Sequence, residues 1–311
     1  MARVPLGFLG GVAPLDPLAD PSADLDEARL ERLARVAGYL LAGRPLHHGG
    51  RSPHPRSTPA GLEFLEHREL MPGDDPRHVD WRASARSRTP LVRRYRDERA
   101  GEWLILLDRS ASMGAAPGAW PLALQLAGAF AYLLLRLGHR VGLGIFSTDV
   151  DAVQPPGRGR AAYLALRRAL AGARPREGGG GSRLAACLGL LGRGTQAAVI
   201  SDFLTPDAMG QALSQLRGRC EAVHCLQVLG EPWVPAVAGS LRLTDAETGE
   251  GLDAQPDPGL AGRVAECQAS LAAGLERHCR RRGMRYSGCR VGSAWDRVLL
   301  EHLVGPEARL A

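Results

Sequence analysis

Lysine and asparagine are missing altogether, and all 39 basic residues are arginine. Such an absence over a whole chain follows from a GC-rich coding sequence, which favours Arg over Lys whatever the function. The formal charge of +6 therefore does not point to nucleic acid. Net charge speaks to solubility and non-specific binding rather than to fold. Aromatic residues make up only 5% of the 311 residues, so Leu, Val and Ala must fill the core. No Cys-x-x-Cys pair occurs among Cys187, Cys220, Cys225, Cys267, Cys279 and Cys289. Cys220 and Cys225 flank His224 in an apolar run, where buried reduced thiols are expected and a zinc site is the alternative. No apolar run approaches the roughly 20 residues that span a bilayer. The longest, residues 122–137, is interrupted by Gln125 and Gly128. The first residues carry one Arg and a short apolar stretch broken by Pro5, Gly10 and Gly11, a poor signal peptide. The expected location is cytoplasmic.

Residues 1–24 are rich in proline and glycine without helical periodicity and read as a flexible arm. Residues 26–41 place Leu30, Leu33, Val36, Ala37, Leu40 and Leu41 at helical spacing. Residues 43–61 read as loop. From Trp103 onward, apolar runs at 103–107, 141–146, 197–201 and 221–229 alternate with helical segments at 121–137, 160–171, 183–191 and 206–216. Continuous apolar runs are typical of strands buried on both faces. Their alternation with helices predicts a mostly parallel sheet with helices on both faces, an α/β fold of Rossmann-like type. A hairpin near 240–254, a helix over 259–282, a strand over 285–291 and a helix over 294–303 complete the pattern. The division expected is an arm (1–24), an N-terminal helical and loop segment (25–100), an α/β domain (101–303) and a tail (304–311).

The chemistry concentrates at strand ends. In an open α/β sheet, ligands bind outside the carboxyl ends of the strands. Asp108-Arg109-Ser110-Ala111-Ser112 follows the first buried strand directly. A carboxylate and two hydroxyls at alternate positions can converge on one small, hard cation, and oxygen-only ligation suits magnesium, with manganese or calcium as alternatives. Without a metal, Ser110 or Ser112 would instead cap a helix. Two further elements favour the cation. Ser201-Asp202 ends another buried strand, and Gly178-Gly179-Gly180-Gly181-Ser182 lies in a loop between them. That loop lacks the Gly-Lys-Ser/Thr ending of a phosphate loop, which argues against a nucleotide.

In order, Asp108, Ser110, Ser112, Ser182 and Asp202 resemble the metal-ion-dependent adhesion site of von Willebrand factor type A domains. Ser182 stands where those domains usually have Thr, and Phe203 where many place Gly. Upstream, Gly61-Leu62-Glu63-Phe64, then Arg68-Glu69-Leu70-Met71-Pro72-Gly73-Asp74-Asp75-Pro76-Arg77-His78-Val79-Asp80-Trp81, then Ser84-Ala85-Arg86, resemble the signature of the bacterial "domain of unknown function 58" family. Asp245-Ala246-Glu247-Thr248-Gly249 in the hairpin fits the same pattern. Relatives are often encoded beside MoxR-type AAA+ ATPases. The resemblance thus implies an accessory, assembly or chaperone-like role with such an ATPase or its client, engaged through an acidic side chain, and no defined reaction.

The expected function is a metal-dependent protein-interaction module, not an enzyme. One alternative is a metal-dependent hydrolase or nuclease using the acids of residues 63–80. Another is an Arg-rich nucleic-acid binder, which steep salt dependence would reveal. The signature segment is expected to wrap onto the α/β part through its ion pairs, covering Phe64, Trp81 and Tyr95.

Overall fold

The computed structural model describes residues 25–40, 62–70, 79–87, 89–97, 101–177, 181–192, 194–204, 206–230, 241–254 and 259–304. The expected arm, the loop at 43–61, the Pro72–Asp75 turn and the tail lie outside these residues. The chain divides into two compact units, one made of residues 1–49 with 101–311, the other of residues 50–100.

Helix α1 (Glu27–Leu40) belongs to the larger unit, although residues 50–100, which form the smaller one, separate it in sequence from the rest of that unit. Leu30, Leu33, Ala34 and Ala37 are buried, the i, i+3, i+4, i+7 face of an amphipathic helix.

In the smaller unit, β1 (Leu62–Glu69) pairs antiparallel with β2 (Leu91–Asp97), and α2 (Trp81–Ser87) lies between them in the chain. Asp80 caps α2, its Oδ1 accepting from the backbone N–H of Arg82 at 3.0 Å and of Ala83 at 3.2 Å. Its other oxygen lies 3.0 Å from His67 Nε2. Ser84 Oγ donates to the Asp80 carbonyl at 2.7 Å and accepts from the Leu91 N–H at 2.8 Å. Asp80 is therefore a structural acid, already engaged as a cap. Trp81 departs from expectation, being 70% exposed. It is the first residue of a short helix with no buried residue of its own, so α2 offers no interior for the ring.

The larger unit is built on a six-stranded sheet. Its strands are β3 (Glu102–Asp108), β4 (Arg140–Phe146), β5 (Val150–Gly157), β6 (Thr195–Ser201), β7 (Val223–Leu229) and β10 (Arg285–Arg290). The spatial order is β10-β7-β6-β3-β4-β5, all parallel except β5, which runs antiparallel at one edge. Alternate residues of each strand feed two cores. Trp103, Ile105, Leu107, Ala198, Ile200, Leu226 and Val228 face one, with α1, α4 (Ala119–Arg136), α5 (Gly159–Gly172) and α8 (Trp295–Val304). Leu104, Leu106, Ala197, Val199, Val223 and Cys225 face the other, with a 3-10 helix (Leu184–Leu190), α6 (Pro206–Arg219) and α7 (Leu260–Arg281). This is the expected α/β architecture with helices on both faces. The short helix α3 (Ala111–Ala115) and the hairpin of β8 (Leu241–Thr244) and β9 (Gly251–Ala254) complete the elements.

By length and composition alone α4 is apolar enough to cross a membrane, but 78% of it is buried inside this fold, as a core helix is. It offers α1 a seat. A Cβ on Gly128 would meet Leu25 Cδ1 at 2.6 Å, so glycine lets the chain approach. Arg29 clamps Asp296 with bonds of 2.8 and 2.6 Å and lies 4.6 Å from the Trp295 ring centre. Beneath the sheet, His224 Nδ1 lies 3.0 Å from His302 Nε2, and His302 Nδ1 lies 2.9 Å from Ser287 Oγ. Burial, then the neighbouring His224, holds His302 well below the ordinary histidine range. His224 is thus tied to a second imidazole between cysteines that are buried and free, and the buried-thiol expectation for Cys220 and Cys225 holds.

Candidate functional site

The order β5-β4-β3-β6-β7-β10 reverses direction between β3 and β6. That is the topological switch point of a doubly wound sheet, where ligands bind at the carboxyl ends of the strands. Asp108 is the last residue of β3, and Asp202 follows the last residue of β6. The sequence thus delivers two carboxylates to the same edge of neighbouring strands.

Asp108 is fully buried and forms the floor. Its Oδ1 accepts from the Ser110 N–H at 2.8 Å, and its Oδ2 accepts from Ser182 Oγ at 2.5 Å and Ser201 Oγ at 2.7 Å. Burial raises its pKa, and these donors oppose the rise. Ser110 is also fully buried and occupies the cap position of α3, yet its hydroxyl makes no capping bond. It lies 3.1 Å from Ser112 Oγ instead. The capping alternative therefore fails for Ser110. Ser112 is partly open to solvent, and its hydroxyl lies near enough to the Asp202 carboxyl to lower its pKa. Burial first, then the Asp108 charge, pushes Asp202 up to about 7.

The surrounding loops are braced. Arg176 Nη1 donates to Ser147 Oγ at 3.1 Å and Thr148 Oγ1 at 2.7 Å. Arg183, next to Ser182, donates its N–H to the Ser147 carbonyl and its Nε to the Thr148 carbonyl, both at 2.8 Å. On the other side, Phe203 N–H donates to Ser201 Oγ at 2.9 Å, and Gln227 Nε2 donates to the Asp202 carbonyl at 2.8 Å. Phe203 has φ +54, a left-handed conformation that a bulky residue rarely adopts. Glycine is at ease there. Here the ring is buried to 3% exposure, and its packing offsets the backbone strain.

All the sequence-predicted residues therefore meet at one place: Asp108 bonds Ser110 and Ser182, Ser110 lies beside Ser112, and Asp202 lies close enough to feel Asp108 and Ser112. Gly181 and Ser182 are described, and Gly178 to Gly180 lie outside the described residues. Two members escaped the sequence reading. Ser201 donates to Asp108, and Glu247, from the β8–β9 turn, accepts from Ser112 Oγ at 3.2 Å. Burial also raises the Glu247 pKa. Among the described residues, no Arg or His forms an ion pair with Asp108, Asp202 or Glu247. Nor does any group of three or more His, Cys, Asp and Glu among them suffice to hold a metal, so a cation here would need the hydroxyls.

The donor set suits such an ion. Neighbouring oxygens on an octahedral cation with bonds of about 2.1 Å lie about 3 Å apart. Ser110 and Ser112 Oγ are already 3.1 Å apart, with a carboxylate beside each. Hard oxygen donors alone match magnesium, manganese or calcium.

Comparison with known proteins decides the family. The model of the family described as "Protein of unknown function DUF58" matches residues 66–259. The chain belongs to the DUF58 family. It is 30% identical over 286 residues to Uncharacterized protein Rv1480 of Mycobacterium tuberculosis (strain ATCC 25618 / H37Rv), covering 88% of each chain. Uncharacterized protein Mb1516 of Mycobacterium bovis matches to the same extent. Among solved structures, conserved hypothetical protein BatB from Bacteroides thetaiotaomicron resembles it with a TM-score of 0.40 at 16% identity, over 65% of this chain and 96% of that one. For this DUF58 chain, the signature around Asp80 is in part the cap-and-tie of the small unit, and the Asp245–Gly249 motif is the turn that carries Glu247.

Proposed function

We propose that this DUF58 chain is a magnesium-dependent protein-interaction module, with an adhesion site of the von Willebrand factor type A kind. Asp108, Ser110, Ser112, Ser182 and Asp202 would hold the ion, directly or through water. The observation that carries the reading is the meeting of these side chains, from separate loops, at the switch point of the sheet, with two hydroxyls at ligand spacing between two carboxylates.

The electrostatics support it. Two acids at one sheet edge repel each other, and burial raises both. An opposite charge nearby favours the ionised carboxylates. Hydroxyls cannot neutralise a divalent ion, so the ion keeps an affinity for one further anionic oxygen. An acidic side chain of a partner provides it, which couples metal and partner binding. When bound, the ion supplies charge and a coordination position. The chain's own residues supply orientation: Ser201 and Ser182 fix the Asp108 carboxyl, and Gln227 fixes the strand end that carries Asp202.

The proposal assigns binding rather than catalysis and places the module in the cytoplasm. A MoxR-type AAA+ ATPase, or its client, is the partner proposed. The test is affinity capture from a bacterial lysate with wild type and Asp108→Ala, each in magnesium and in EDTA, with identification of the proteins retained. A partner retained by wild type in magnesium alone is expected, with a MoxR-type ATPase among the proteins identified. Capture indifferent to both EDTA and the substitution would overturn the reading.

A further inference from the structure

The Asp245-Ala246-Glu247-Thr248-Gly249 turn has no role in the function proposed above, yet it delivers a carboxylate to that very site. The turn is built to do so. Asp245 accepts from the backbone N–H of Glu247 at 2.8 Å and of Thr248 at 2.7 Å. Gly249, at φ +72, closes the turn with its N–H on the Asp245 carbonyl at 3.0 Å. The backbone around Glu247 is thereby fixed, and its side chain is presented to the Asp108 site.

Two independent contacts receive it. Ser112 Oγ donates to Glu247 Oε1 at 3.2 Å. On the far side, Glu247 Oε2 lies 2.7 Å from where a Cβ on Gly181 would stand, so the carboxylate packs closely against that glycine. Ser110 Oγ, Ser112 Oγ and Glu247 Oε1 thus follow one another at 3.1 and 3.2 Å, close to the spacing of neighbouring oxygens around one hard cation. The hairpin's strands pair with each other and not with the six-stranded sheet. It can leave the site without breaking a sheet hydrogen bond.

We propose that Glu247 is a built-in stand-in for the partner's acidic side chain: the β8–β9 hairpin closes the cation site, and an acidic partner must displace it. The inference rests on the reading of Asp108, Ser110, Ser112, Ser182 and Asp202 as a cation site. The occupant excluded is a carboxylate, because the place it would take is already held by one. The hairpin then sets a threshold. A partner engages only when its acid, with the contacts around it, outcompetes an intramolecular one whose effective concentration is high.

The test uses the full chain and magnesium alone as the probe, for wild type, Glu247→Gln and Asp108→Ala. Affinity is read by calorimetry, and hairpin motion by hydrogen exchange of residues 241–254. Glutamine keeps the size of the side chain and an acceptor for Ser112 but loses the charge. Equal melting temperatures in EDTA check its fold, and Glu247→Asp, which keeps the charge on a shorter stem, serves as a second variant. Magnesium is expected to bind wild type and to slow hairpin exchange. In Glu247→Gln its affinity should fall by about tenfold or more, and the hairpin should lose its magnesium-dependent protection. Added glutarate, a simple dicarboxylate, should speed hairpin exchange again in magnesium-loaded wild type. If magnesium binds wild type and Glu247→Gln equally and leaves the hairpin unmoved, the plug is wrong and the cation site stands. If magnesium does not bind wild type at all, both fall.

Discussion

Replacing Asp108 by Asn should cost little stability without magnesium and should remove all stabilisation by magnesium. The carboxylate accepts from one backbone N–H and two hydroxyls. In Asp108→Asn, Oδ1 still accepts from the Ser110 N–H, while Nδ2 offers two hydrogens to the Ser182 and Ser201 hydroxyls, which turn to accept. The amide leaves no acceptor without a donor, but the Ser182 and Ser201 O–H protons lose the carboxylate oxygen they donated to. Bonds to a charged acceptor become neutral ones, a loss of about 1 kcal/mol each and roughly 2–3 kcal/mol together. Against this, the variant no longer buries a charge, a penalty of several kcal/mol even after relaxation, and no longer repels Asp202. The two nearly cancel, so in EDTA the melting temperatures should agree to within the equivalent of about 1 kcal/mol. In magnesium at about 100 times its Kd, wild type gains about 2.7 kcal/mol. At about 2–4 °C per kcal/mol for a domain of this size, that is a rise of roughly 5–10 °C in wild type and none in the variant. Thermal melting by circular dichroism, with and without magnesium, reads both. If Asp108→Asn loses more than about 3 kcal/mol in EDTA while magnesium shifts neither protein, Asp108 is a structural hydrogen-bond hub, and the reasoning is refuted.

Phe203→Gly should destabilise by roughly 2–3 kcal/mol, because losing the buried ring outweighs the relief of its left-handed backbone; an increase in melting temperature would show that strain dominates. Trp81→Ala should change stability by no more than about 0.5 kcal/mol, since the ring is exposed; a multi-degree fall in melting temperature would show that the ring is covered in solution. The His224–His302 pair makes stability depend on acid. His302 is held neutral in the folded chain, whereas the unfolded chain takes up a proton below about pH 6.5, so this contribution is intact above that pH and is lost as pH falls through it. The melting temperature of wild type should therefore fall relative to His302→Gln on acidification below about pH 6.5, and parallel curves would contradict the assignment.

The central sheet was legible because strands buried on both faces must be apolar throughout. The runs at Trp103 and Ala197 admit few other readings. The edge strand β5 was not. It is exposed along much of its length and contains Pro155 and Pro156, tolerated only because an edge strand has a side without ladder bonds. The helical character of α1 was plain from its period, but not its destination. Packing against Gly128 and Asp296 joins residues far apart in sequence, which no local pattern encodes. The small unit misled for a related reason. Trp81 suggests burial by its chemistry, but α2 has no interior of its own to bury it in. At the site, the residues at strand ends could be found by the switch-point rule. Ser201 hid as the polar terminus of an apolar strand. Glu247 is separated from Ser112 by 135 positions, and only the fold joins them.

The measurement closest to the central claim is anomalous diffraction at the manganese edge from crystals of the wild-type chain grown with manganese, an X-ray-visible substitute for magnesium at hard oxygen sites. A single strong peak is expected within about 2.0–2.2 Å of the Ser110 and Ser112 hydroxyls, between Asp108 and Asp202. Well-ordered density for these side chains without a peak among them, at saturating manganese, would contradict it.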